Sequence, residues 1–176
     1  MVVPSRRATA LTLSLLVVAG AVVHLALAGQ PLLEGAAGKQ THTAMIARNL
    51  YRGRCTVARP AVDDLGKPGY FVKEVPFLPA IAALGYSALG GVDERVGRVL
   101  SVAGWMLGVP VLAAIVRRVL APAAVIAAAA WWIVGPLGFV YARAFMTDAT
   151  MVTASLAAFL ALLRFRERPS GARAAA

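Results

Sequence analysis

The residues able to do chemistry are few and far apart along the chain: His42, Glu74, Arg98, Arg143 and Asp148. An imidazole such as that of His42 can take a proton near neutral pH, the property a general base needs. The carboxylates of Glu74 and Asp148 can hold a divalent cation or accept a hydrogen bond from a sugar hydroxyl. Arg98 and Arg143 can grip a phosphate through charge-assisted hydrogen bonds. Each residue also has a plain structural reading. Glu74 can form a surface ion pair with Lys73 or Lys67, which would be worth little. Asp148 follows Thr147 and suits a helix N-terminus, where negative charge meets the helix dipole. Arg98 and its neighbour Arg95 can snorkel at an interface. His42 taken alone is an ordinary exposed or hydrogen-bonded histidine.

Other chemistries lack their residues. No phosphate-binding Walker loop, dinucleotide fingerprint, Gly-x-Ser-x-Gly elbow or His-Glu-x-x-His pair occurs. Cys55 is the only cysteine, so it forms no internal disulfide and belongs to no metal finger; it reads as an inert loop thiol.

The elements that must position these groups are apolar. The chain has 176 residues, 60% of them hydrophobic, with a mean hydropathy of +0.73. That exceeds the apolar share of a soluble domain, and runs of about 20 apolar residues can cross a bilayer. The expected fold is all-α and integral to the membrane: one domain over 1–176, with about four spans at 8–28, 98–116, 122–140 and 149–163. The first span keeps an alternative, a cleaved signal peptide ending at Ala26-Leu27-Ala28. His24 lies inside it and is expected to be neutral and bonded to a neighbouring helix. The net charge of +10 fits arginines that flank membrane segments. No aromatic-basic reader motif accompanies it, so nucleic acid is not the expected partner.

Between the first two spans lies a polar stretch, 29–97, which holds six of the eight acids and therefore most of the groups available for chemistry. Two short interfacial helices are expected in it. The first lies near 42–52, capped by Thr41 or Thr43 and stopped by Gly53. It reads as an amphipathic surface helix, with His42, Met45, Ile46 and Asn49 on one face and Arg48 and Arg52 on another. The second lies near 76–89; it starts with prolines, ends at Gly90-Gly91 and is too short to span. Asp93 can cap the helix that follows. Residues 56–70, with their prolines, glycines and Asp63-Asp64, read as irregular loop.

Charge sets the orientation. With four spans, Arg6, Arg7, Arg117, Arg118, Arg164, Arg166, Arg168 and Arg173 share one side with a single acid, Glu167. That is the positive-inside pattern, so both termini and the tail 164–176 are expected in the cytoplasm. His42, Glu74, Arg95, Arg98, Arg143 and Asp148 then gather at the extracytoplasmic face of an inner membrane.

Four segments, in order, resemble a known family. They are Gln40-Thr41-His42-Thr43-Ala44-Met45-Ile46-Ala47-Arg48-Asn49-Leu50-Tyr51-Arg52; Glu74-Val75-Pro76-Phe77-Leu78-Pro79; Gly90-Gly91-Val92-Asp93-Glu94-Arg95-Val96-Gly97-Arg98-Val99-Leu100-Ser101; and Pro136-Leu137 through Tyr141, Arg143 and Asp148. Together they resemble the GT-C membrane glycosyltransferases related to dolichyl-phosphate-mannose protein mannosyltransferases and the lipid A aminoarabinose transferase. The resemblance implies inverting transfer of a sugar from a polyprenyl-phosphate donor to an acceptor hydroxyl at the outer face. It implies a first-loop carboxylate as base, acids that place a divalent cation or the substrate, and basic residues on the lipid phosphate. In this sequence His42 stands where the motif has aspartate, and Lys39 where it has arginine. By that correspondence His42 is the candidate base, Glu74 and Asp148 the substrate or cation ligands, and Arg98 and Arg143 the phosphate binders. Family members continue through more helices, so the chain is expected to be an N-terminal portion, a degenerate copy, or half of a split protein with a complementary membrane subunit. The competing reading is a small non-enzymatic membrane protein that binds a lipid or protein partner through its first loop.

Overall fold

The computed structural model describes residues 5–32, 37–64, 67–71 and 74–167. Glu34, Lys73, Arg168, Arg173 and the rest of the tail lie outside them. The described residues form seven helices and one hairpin: α1 (Arg6–Ala26), α2 (Ala37–Tyr51), β1 (Ala61–Asp64), β2 (Lys67–Tyr70), α3 (Phe77–Leu89), α4 (Arg95–Val116), α5 (Pro122–Val134), α6 (Pro136–Tyr141) and α7 (Asp148–Glu167). The fold is mainly helical. Three helices are long and apolar enough to cross a membrane: α1 from Arg7, α4 and α7. The apolar stretch at 122–140, expected as one helix, divides at Gly135 into α5 and α6. Proline 136 has no N–H to continue the ladder and disfavours a helical residue before it. That leaves α5 with 13 residues.

The chain divides into two compact units. The first comprises 1–24, 103–142 and 148–176; the second comprises 25–102 and 143–147.

In the first unit, helices approach closely wherever a side chain is missing. A Cβ on Gly104 would lie 2.4 Å from Thr150 Cγ2, and one on Gly108 would lie 2.6 Å from the Trp132 ring. These two glycines, four apart, form the small-residue stripe that lets membrane helices pack backbone to side chain. The contact is fastened by Thr153, whose hydroxyl donates to Gly104 O at 2.8 Å. Trp105 and Trp132 stack 4.2 Å apart, and each indole N–H donates to the other's backbone carbonyl, at 3.1 and 3.0 Å. Both N–H groups, which would be costly to bury unpaired, are thereby satisfied. His24 behaves as expected: it is buried, with Nε2 3.1 Å from Ile133 O. The outward residues of α1 and α7 are apolar, among them Leu15, Val18, Phe159 and Leu162, as a lipid-facing surface requires.

In the second unit, α2 packs on α3. Leu78, Ala82 and Tyr86, each four residues on, meet Ala44 and Ala47, with Leu32 and Phe145 in the same core. Burying a side chain such as Leu78 contributes about 1.5–3 kcal/mol. Burial also pushes the Tyr86 phenol's pKa up, so it stays neutral. The packed side of α2 therefore runs through Gln40, Thr43, Ala44 and Ala47, not through the four-residue face read from the sequence; of that face only Ile46 and Asn49 are buried. A helix enclosed by small residues shows little apolar asymmetry, which is why its pattern misleads. The helix also starts earlier than expected, at Ala37, so Thr41 and Thr43 do not cap it. Their hydroxyls bond back to Gly38 O and Lys39 O inside the helix.

The expected terminators act: Gly53 and Gly90 adopt φ of 65° and 72°, where L side chains are strained. Asp93 accepts the Arg95 N–H at 2.9 Å and caps α4. Within the stretch 56–70, read as irregular, Ala61–Asp64 and Lys67–Tyr70 instead pair as the antiparallel strands β1 and β2, with Ala61 opposite Tyr70 and Asp63 opposite Pro68. The hairpin is held from outside itself, because Asn49 on α2 donates to Ala61 O at 3.0 Å.

Candidate functional site

A cavity of about 350 Å³ opens in the second unit. Its lining includes Lys39, His42 and Thr43 from α2, Phe71 and Glu74 from the chain after the hairpin, and Thr147. Lys39, His42 and Thr43 reach one wall because residues three and four apart share a helix face. Glu74 is carried there by the turn into α3. The structure thus brings together His42 and Glu74, two of the residues singled out in the sequence.

Their environments differ. The His42 ring lies 4.7 Å from that of Phe71, tilted by 55°. No ion pair or hydrogen bond engages its nitrogens among the described residues, so the imidazole is available to a bound hydroxyl. Glu74 is paired with Lys39, Oε1 to Nζ at 2.5 Å, both about one-third exposed. This is not the partner expected from the sequence; Lys73 and the side chain of Lys67 lie outside the described set. Lys39, three residues before His42, is the functional candidate that sequence reasoning passed over. The signal was its helical spacing.

The donor set does not suit a divalent cation at Glu74. Calcium takes six to eight oxygens and magnesium a near-octahedral shell, whereas Glu74 offers one carboxylate already neutralised by an ammonium. No cluster of three His, Cys, Asp or Glu side chains forms among the described residues.

Other predicted residues are placed differently. Arg98 does not snorkel: it is only 1% exposed, and its Nη2 donates to Pro31 O at 2.8 Å. Three residues on, Ser101 is fully buried and donates to Gly97 O, with Met146 O at 3.4 Å. This part of α4 therefore ties the chain at Pro31 to the chain at Met146. Gln40, also missed from the sequence, is buried and accepts the Phe145 N–H at 3.1 Å. Segment 143–147 is thus fixed from α2. Arg143, half-buried, opens that segment. Asp148 is the first residue of α7 and belongs to the first unit; there it supplies negative charge to the first turn of the helix, as its structural reading requires.

Asp63 locks the hairpin to α2. Asn49 Nδ2 donates to its Oδ1 at 3.0 Å, and Arg48 pairs with its Oδ2. The Asn49 hydrogen bond, with help from Arg48 and against some burial, holds the carboxyl below the usual range. A depressed pKa adds stability above the unfolded value of about 3.9 and loses it as pH falls through the folded value. Wild-type protein should therefore lose thermal stability below about pH 4. Asp63→Asn should cost about 1 kcal/mol at pH 7 and show a smaller drop over that acid window. Equal acid sensitivity in both proteins would assign the loss to other groups.

The helical architecture and three helices long and apolar enough to cross a bilayer mark a membrane protein, and the comparison with known families makes it glycosyltransferase-like. A family model described as dolichyl-phosphate-mannose-protein mannosyltransferase matches residues 73–174, more than half of the chain, and the protein belongs to that family. The match covers Glu74, Arg98, Arg143 and Asp148 and begins after α2, so the segment around His42 lies before it. No curated protein and no solved structure matches the chain.

Proposed function

We propose that the chain forms the substrate face of a glycosyltransferase that takes a sugar from a polyprenyl phosphate and passes it to an acceptor hydroxyl. The observation that carries this reading is the shared cavity of His42, Lys39 and Glu74. His42 accepts the acceptor's proton as its oxygen bonds to the anomeric carbon. The bond from that carbon to the phosphate oxygen breaks, and the polyprenyl phosphate leaves. A single displacement of this kind inverts the anomeric centre. Glu74, oriented by Lys39, accepts hydrogen bonds from sugar hydroxyls, and no cation is needed for that role. Arg143 and Asp148 remain proposed ligands of the phosphate and the sugar. Arg98, buried on Pro31 O, is proposed to act by positioning its surroundings, since a phosphate would have to enter the second unit to reach it.

The orientation follows from charge. In the first unit the start of α1, the end of α4, the start of α5 and the end of α7 line one common cavity that includes Arg117, Arg118 and Glu167. By the positive-inside rule that end is cytoplasmic. The proposed topology has four crossings, α5 with α6 supplying the third, in an inner membrane with the sugar handled outside. The exposed apolar faces of α1 and α7 meet lipid or a complementary subunit.

The test is transfer from a polyprenyl-phosphate sugar by the purified chain in bilayer discs. Mannose, the sugar in the family's description, is the first to try. Glu74→Gln is expected to lower the rate about 10²-fold, the scale of a lost positioning contact. Undiminished transfer would remove Glu74 from the site. If wild-type protein binds the donor but transfers nothing, and His42→Asp does not change that, the non-enzymatic reading takes its place.

A further inference from the structure

The first unit contains a second cavity, larger than the one at His42, that the transfer reaction does not use. It measures about 820 Å³, within the range of ligand pockets. Its walls are apolar along much of their length, through Leu13 of α1, Pro110 and Ala113 of α4, and Val125 of α5. Its polar groups are Arg117, Arg118 and Glu167, with Thr9 on α1.

The two arginines are not equivalent. Arg118 is committed: Nε pairs with Glu167 Oε1 at 2.9 Å, and Nη1 donates to Ala114 O. Arg117 is exposed and has no carboxylate partner among the described residues. Arg164 and Arg166 sit in the last turn of α7, and Arg7, the second residue of α1, lies two residues before Thr9. Arg7, Arg117, Arg118, Arg164 and Arg166 thus stand at this end against the carboxylate of Glu167. A cavity with an apolar wall and an uncompensated guanidinium suits a molecule with a hydrocarbon chain and an anionic head.

We propose that this cavity binds an anionic phospholipid, its acyl chain against Leu13, Pro110 and Val125 and its phosphate on Arg117. Arginine suits this role because its planar fork makes paired hydrogen bonds to phosphate oxygens. Basic pockets between membrane helices select anionic headgroups by the same means. Glu167 does not cancel the attraction, because Arg118 already neutralises it.

The test uses the full chain in detergent, delipidated and then titrated with dioleoyl phosphatidylglycerol, with dioleoyl phosphatidylcholine, or with inorganic phosphate. Bound lipid is counted by native mass spectrometry. Phosphatidylglycerol is expected to be retained at least about tenfold more tightly than phosphatidylcholine, a difference of about 1.4 kcal/mol. Arg117→Gln should abolish that preference and Arg117→Lys should keep part of it. Ala10→Trp, at an exposed position lining the same cavity, should weaken retention of both lipids. Equal retention of the two lipids by wild-type protein would overturn the proposal, as would a preference that survives Arg117→Gln. Inorganic phosphate that displaces phosphatidylglycerol at millimolar concentration would show an anion site without lipid selectivity and would also overturn it.

Discussion

His42→Ala is expected to reduce sugar transfer by about 10²–10⁴-fold, the usual contribution of a positioned general base. The protein should still fold. His42 is only half-buried, it lies within α2, and alanine is the best helix former. Its ring packs on Phe71, away from the packed side of the helix through Ala44 and Ala47. His42→Asp is the informative companion. It restores the carboxylate of the motif that Gln40–Arg52 resembles, three residues from the Lys39 ammonium. Transfer by the aspartate variant at or above the wild-type rate, with the alanine variant dead, identifies position 42 as the base whichever group occupies it. An alanine variant that transfers sugar at the wild-type rate would show that the proton goes elsewhere.

Gly97→Ala is expected to cost about 1–3 kcal/mol, as overpacking of a filled core does. A Cβ there would lie 2.4 Å from three carbons of the Phe145 ring, and Phe145 is fully buried. The residue cannot shift aside freely, because its ring is fully enclosed and its backbone N–H donates to Gln40 Oε1. The strain therefore passes into segment 143–147, whose last residue, Thr147, lines the cavity of His42 and Glu74. Transfer should fall along with the thermal midpoint. Phe145→Leu in the same chain should recover part of the stability by making room. An alanine variant that melts with wild type would mean that the close approach at Gly97 does not constrain this core.

Lys39 shows why a match of residue types is not yet a site. In the sequence it is a basic residue where a resembling motif has arginine, and Glu74 lies 35 positions away. Only the tertiary fold brings the carboxylate to the ammonium. Arg98 shows the opposite case. Its place at the end of a polar stretch suggested snorkelling at an interface, and its burial against Pro31 O corrects that reading. The hairpin was hidden because its four-residue strands are not stable alone; they persist through contacts with Asn49 and Arg48 on a helix that precedes them.

The amino-acid sequence by itself determined the membrane character, the long spans α1, α4 and α7, the stops at Gly53 and Gly90, and the family, over 73–174. These properties are local or additive: apolar length, missing side chains, and runs of residue type read along the chain. Only the tertiary structure decided which face of α2 is buried, which cation meets Glu74, that Arg98 points inward, and that four helix ends share one basic cavity. Those depend on how distant segments pack, and packing is fixed by shape and hydrogen-bond satisfaction between residues that no sequence interval connects.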